Sequence, residues 1–234
     1  MQKLFLRLPQ LKWVVSILFI AILVGSISAF FLLSLIYVSQ FRELHPYILY
    51  GLPFAGVFIV WFYQRYAGEA QKGNNLILEE YYRPTQTIPL RMAPMVLLTT
   101  LITHLFGGSA GREGTAIQYG ATLADHLNRI FSFDKTERRI LLICGVAAGF
   151  ASLFGTPIAG LIFGLELFRM GTLRSKAIIP TLFSAFGANA VCQAWGAPHT
   201  HYPKLMELPS WSLTNIIWLT VAAVIFALAA VLFL

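Results

Sequence analysis

The stretch GGSAGREGTAIQYGA, residues 107–121, sets one arginine and one glutamate among five glycines, directly after an apolar run. Glycines allow the backbone to leave and re-enter a helix. Each restart presents free amides and the positive end of the helix dipole, a setting that suits a small anion. Glu113 lies between Gly111 and Gly114. Its own carboxylate can therefore occupy the anion's place, and a proton can remove that occupant. The chemistry expected of this stretch is competition between a carboxylate and a small anion, linked to protonation. The plainer alternative is an Arg112–Glu113 ion pair in a loop outside any membrane.

Other groups were weighed on the same terms. GGSAG also fits G-x-S-x-G, which would make Ser109 the nucleophile of an intramembrane serine hydrolase if a histidine served as its base. His104 precedes the glycines, His126 follows them, and His199 and His201 fall in PHTHYP; none is placed by sequence as a convincing partner. No Gly-Lys-Ser/Thr follows the glycines, which excludes a phosphate loop. Two histidines without a nearby acid or thiolate make a poor metal site, so no metal is expected. The adjacent Glu79 and Glu80 read as a solvated helix end, and Cys144 and Cys192 as small buried hydrophobes.

The surrounding elements must be membrane helices. Of the 234 residues 57% are hydrophobic and 12% charged, with mean hydropathy +0.70, well outside the range of soluble domains. Residues 13–38 form an unbroken apolar span. Lys3, Arg7 and Lys12 precede it, which predicts a cytoplasmic N-terminus over residues 1–12 and a transmembrane domain from 13 to 234. The net charge of +7 sits in short loops between apolar runs, so nucleic acid is not an expected partner. A second span covers 47–63. The polar stretch 64–87 reads as a loop or re-entrant segment, and 88–108 is apolar again. Residues 115–131 look too short and too polar to span alone, as half of a broken helix. Residues 138–155 end at a glycine, and 156–168 restart with Thr156 as N-cap and Pro157 at the first helical position. Spans at 177–195 and from Trp211 complete the chain, which is expected to stop inside a helix, truncated at its C-terminus. Interrupted helices at membrane depth are tolerated only where protein buries them or where they line a wet cavity, and so point to a permeation site.

At these residues the chain resembles a family. GREGT followed by AIQ (111–118) is similar to the Gly, Lys or Arg, Glu, Gly, Pro signature of the CLC chloride channels and proton antiporters. FGTPIAGLIFGLEL (154–167) resembles their later Pro-x-x-Gly helix. The resemblance covers roughly residues 45–195. It implies an all-α polytopic membrane protein, the first inverted-repeat half of a CLC-type fold, with broken helices meeting at the midplane. It also implies a halide (fluoride or chloride) and a proton as partners, a homodimer at full length in a bacterial-type plasma membrane, and no cofactor or enzymatic role. Glu113 would be the external gate and proton carrier. The anion path would run past Gly73, Asn74, Asn75 and Leu76, then Gly111, Arg112, Gly114 and Thr115, then Gly155, Thr156 and Ile158.

The sequence departs from that pattern at informative places. Thr115 replaces the proline, and GNNLI (73–77) stands where the family has Gly-Ser-Gly-Ile-Pro, with Asn74 in the serine position. Glu166 keeps the first acid of an inner pair, while Leu167 fills the second, the proton-relay position. Loss of that acid resembles passive channels, and it also resembles the fluoride/proton branch. Asn74 and Leu167 together favour fluoride-coupled antiport, with a passive chloride channel as the alternative.

Overall fold

The computed structural model describes residues 9–168, 175–199 and 211–233, which are mostly helical, with no strand among them. Residues 1–199 form one compact unit and 200–234 a second. His201 lies outside the described residues.

Within the first unit, α1 (Pro9–Leu44) is one helix of 36 residues. At 1.5 Å per residue it is about 54 Å long, well beyond a hydrocarbon core of about 30 Å. A short 3-10 turn, Pro46–Gly51, leads into α2 (Leu52–Tyr66), and another, Gly68–Lys72, leads into α3 (Asn74–Tyr82). α4 (Met92–Leu105), α5 (Glu113–Phe131), α6 (Lys135–Phe154), α7 (Pro157–Leu167) and α8 (Ser175–Ala194) follow. α9 (Leu213–Phe233) makes up the described part of the second unit. Among the described residues four segments are long and apolar enough to cross a membrane: Gln10–Leu44, Pro46–Tyr66, Ser175–Ala194 and Leu213–Phe233.

The stretch 64–87 is not all loop, because residues 74–82 form α3, with Leu76, Ile77, Glu80 and Tyr81 buried along it. The helix after the glycines starts at Glu113, not Thr115, and its 19 residues span about 28 Å. α5 is therefore not half-length. Polar residues such as Asp125 and Asn128 hid that length in the hydropathy pattern. α7, with 11 residues, is the short one.

α6 is the centre of the unit, packed by α1, α5, α7 and α8. Its start is fixed by a capping box: the Asp134 carboxylate accepts from the Thr136 and Glu137 amides, and the Glu137 carboxylate accepts from the Asp134 amide. Lys12 reaches over from α1 to pair with Glu137 at 3.3 Å and lies 3.9 Å from the Phe133 ring centre. α5 and α6 meet backbone to backbone. A Cβ on Gly120 would stand 2.2 Å from the Gly145 carbonyl oxygen, and one on Gly149 would stand 2.4 Å from that of Ala116. Lipid chains are as apolar as leucine, so close approach of small residues is what drives such contacts in a membrane. Because Gly120 faces rigid backbone, Gly120→Ala is expected to cost about 1–3 kcal/mol, read as a lower thermal unfolding midpoint of the purified full-length protein.

A second anchor is ionic. Arg138, at the start of α6, is 7% exposed. It donates to both oxygens of Asp125 on α5, to Glu80 on α3 at 3.0 Å, and to the Gln86 carbonyl at 2.7 Å. Glu80 also accepts from the Thr85 amide and hydroxyl and the Gln86 amide. The Ile88 amide completes Asp125. Glu80 is thus a buried anchor and not the solvated end expected from sequence. Its neighbour Glu79 is exposed and pairs with Lys72 at 2.9 Å, and Glu79 and then Glu69 hold the Lys72 pKa above its ordinary value. Cys144 and Cys192 are free and buried.

Candidate anion and proton site

The chain breaks between α4 and α5, and the break is held open by local bonds. Gly107 turns left-handed (φ 77°), a conformation glycine adopts without strain. The His104 Nε2–H donates to the Ala110 carbonyl at 3.1 Å, and Arg42 donates to the His104 carbonyl at 3.0 Å. Arg112 is the N-cap residue of α5, and its carbonyl accepts the Ala116 amide. Glu113 is the first helical residue and is exposed.

The Glu113 side chain folds back over the loop: a Cβ placed on Gly111 would stand 2.5 Å from Glu113 Oε2. Among the described residues no ion pair joins it to Arg112. The Arg112 guanidinium instead lies 5.6 Å from the ring centre of Phe154, at the end of α6. The plainer Arg–Glu pairing expected as an alternative is therefore not formed. An unpaired carboxylate sits at a helix N-terminus, and the arginine ties this break to the next one.

The start of α3 comes to the same place. Gly73 turns left-handed (φ 56°) and caps α3. A Cβ on Gly114 would meet Asn74 Nδ2 at 3.5 Å, and one on Gly73 would meet Gln118 Nε2 at 3.4 Å. The start of α3 thus lies beside the first turns of α5, with the Asn74 and Gln118 amides between them, and the Glu113 carboxylate lies against Gly111 just before that turn. Gln118 was not among the sequence-assigned site residues. It lies four residues after Gly114, one turn along the same helix face, and that spacing was the available signal.

The remaining candidates divide. Thr115 is buried, and its hydroxyl bonds Thr100 on α4 at 2.8 Å; what it can offer an anion is its amide alone. Leu76 is buried, and its amide already donates to the Gly73 carbonyl at 3.1 Å. Asn75 lines a cavity of about 680 Å³ together with Lys72, Glu79 and Arg83. The α6–α7 break forms as read: Gly155 is left-handed (φ 70°), Thr156 is the N-cap and Pro157 the first helical residue, although the Thr156 hydroxyl makes no capping bond. Ile158 is exposed. Glu166 is exposed near the end of α7, and Leu167 after it packs partly against the core. Tyr82 on α3 donates to the Phe168 carbonyl, and Phe168 stacks on Tyr81 at 4.1 Å, so the far ends of α7 and α3 are joined. Ser109 is exposed, and among the described residues no hydrogen bond links it to a histidine; His104 is committed to Ala110. No group of three potential metal ligands occurs among the described residues.

The chain and its fold are similar to known proteins. The family model "Voltage gated chloride channel" matches residues 55–234. A "Chloride/fluoride channel protein" of Pseudomonas syringae pv. tomato is 44% identical over 224 residues, 95% of this chain and 49% of that protein. The crystal structure of a CLC-type fluoride/proton antiporter superposes with a TM-score of 0.84 at 35% identity, over 92% of this chain and 54% of that one. A slow cyanobacterial Cl⁻/H⁺ antiporter shares the fold, with a TM-score of 0.63 at 24% identity. The chain spans about half the length of these relatives. With its apolar helices it is an integral, multi-pass membrane protein of α-helical CLC type. The chain belongs to the voltage-gated chloride channel family.

Proposed function

We propose that in the complete protein this chain supplies half of a halide pathway in which Glu113 is both gate and proton carrier, with fluoride preferred over chloride. The observation that carries the reading is the approach of Asn74 to Gly114 where the N-termini of α3 and α5 come together, with the unpaired Glu113 carboxylate folded back against Gly111 at the same helix start. The amides and dipoles there favour one negative charge. Two negative charges about 4 Å apart repel by about 4 kcal/mol at an effective dielectric of 20, roughly a thousandfold in joint occupancy. Carboxylate and halide therefore exclude each other. A proton on Glu113 removes one competitor, which links anion passage to proton passage.

Fluoride gives up more hydration than chloride on leaving water, so its path needs strong donors. An asparagine amide carries two N–H donors where a serine carries one O–H. Leu167 cannot carry a proton, so Glu113 takes the proton alone in this scheme. Gly155, Thr156 and Ile158 extend the path along the start of α7. A homodimer in a bacterial plasma membrane follows from the same family reading, and a cytoplasmic N-terminus from Lys3, Arg7 and Lys12 ahead of the first span.

The test is Asn74→Ser in the full-length protein, with fluoride and chloride efflux from liposomes measured side by side. One hydrogen bond to a charged group is worth about 1.5–3 kcal/mol. The fluoride-to-chloride ratio is expected to fall by about tenfold. An unchanged ratio contradicts the assignment of Asn74 to the anion path.

A further inference from the structure

At the C-terminal end of α6, the Ala151 carbonyl accepts two amides, Gly155 at 2.9 Å and Thr156 at 3.2 Å. The Ser152 carbonyl is then left at a helix end with no amide to receive: the chain has turned left-handed at Gly155, and Pro157 has no N–H. His199 supplies the donor. Its Nε2 lies 2.8 Å from Ser152 O, and because a carbonyl only accepts, Nε2 carries the hydrogen.

The same ring covers the break itself. A Cβ on Gly155 would stand 2.9 Å from His199 Cγ and 3.0 Å from Cδ2, so the imidazole is seated against the bare Cα of the residue at which the chain turns. Ser152 is in turn anchored. Its Oγ bonds Ser28 on α1 at 2.6 Å, and Ser28 bonds the Tyr119 hydroxyl on α5 at 2.6 Å. All three side chains are fully buried. His199 therefore joins the α6–α7 break to a rigid polar chain that crosses α1, α5 and α6.

We propose that His199 is a positioning residue for the anion path: by donating to Ser152 O and packing on Gly155, it fixes the direction in which the first amides of α7 point. The inference rests on the reading that the start of α7 lines that path. His199 touches no anion in this scheme and acts through the backbone it holds.

The test uses the full-length protein in liposomes, with turnover per folded molecule, apparent halide affinity and the proton-to-halide ratio all recorded. His199→Leu keeps the bulk and removes the donor. It is expected to lower turnover and affinity about fivefold, the size of one ordinary hydrogen bond, while the proton-to-halide ratio stays at the wild-type value because Glu113 is untouched. His199→Gln can still donate to Ser152 O and is expected to stay within about twofold of wild type. Should His199→Leu not fold, His199→Asn, with a shorter reach, replaces it in the comparison. A donor-free or short-reach variant that equals His199→Gln overturns the proposal. Wild-type halide flux with an indifferent His199→Leu overturns this proposal alone, whereas a wild type that moves no halide overturns both this and the reading it rests on.

Discussion

Full-length protein carrying Glu113→Gln is expected to pass halide while proton movement falls to background. Glutamine has the shape of a protonated glutamate and cannot release a proton. The site would stay open to the anion while its proton carrier is lost. Two features make this the expected result rather than a loss of folding. Glu113 is exposed and folds back onto Gly111, and Arg112 is engaged with Phe154 and not with the glutamate. Neutralising the carboxylate therefore strands no buried partner. A structural Arg–Glu pair would behave differently, losing stability without a selective change in coupling. Retained proton coupling in Glu113→Gln would remove the gate assignment.

The largest effect on stability is expected at Arg138→Met. Arg138 holds two carboxylates, Asp125 and Glu80, which are 0% and 2% exposed. Removing one member of a buried ion cluster leaves uncompensated charge and costs about 3–5 kcal/mol, a large share of the 5–15 kcal/mol typical of a folded domain. A loss in the folded fraction on gel filtration and a marked fall in the unfolding midpoint are expected. Adding Asp125→Asn, which removes one stranded charge, is expected to recover part of the loss. The exposed Lys72–Glu79 pair is the control: Lys72→Met there is expected to leave the unfolding midpoint close to that of the wild type. Equal effects at the two positions would contradict the clamp. Asp125 lies twelve residues beyond Glu113 on α5, about 18 Å along the axis. Whatever fraction of Arg138→Met folds is therefore expected to keep its proton-to-halide ratio.

The broken helices were legible because their punctuation is local. Glycines before Glu113, and Gly155, Thr156 and Pro157 in succession, announce a stop and a restart whatever surrounds them. The position of Glu113 at a helix start followed from the same signals. α3 was not legible as a helix: its nine residues begin after a left-handed glycine, and its apolar positions are too few to show a period against the polar residues around them. The split between Glu79 and Glu80 was hidden because Arg138, which decides it, lies 58 residues downstream. Thr115 was assigned to the site by its place in the motif, yet its hydroxyl turns to Thr100 on the preceding helix, a contact only the packing of α4 on α5 creates. The role of His199 was hidden too, since nothing near PHTHYP in sequence names the Ser152 carbonyl 47 residues earlier.

The most direct measurement is made on the full-length wild-type protein in liposomes, with fluoride efflux, chloride efflux and proton uptake recorded together. Fluoride efflux faster than chloride, with proton uptake in fixed proportion to the halide released, is the expected result. Halide efflux with no proton movement would contradict the coupling assigned to Glu113 and leave a passive pore in its place.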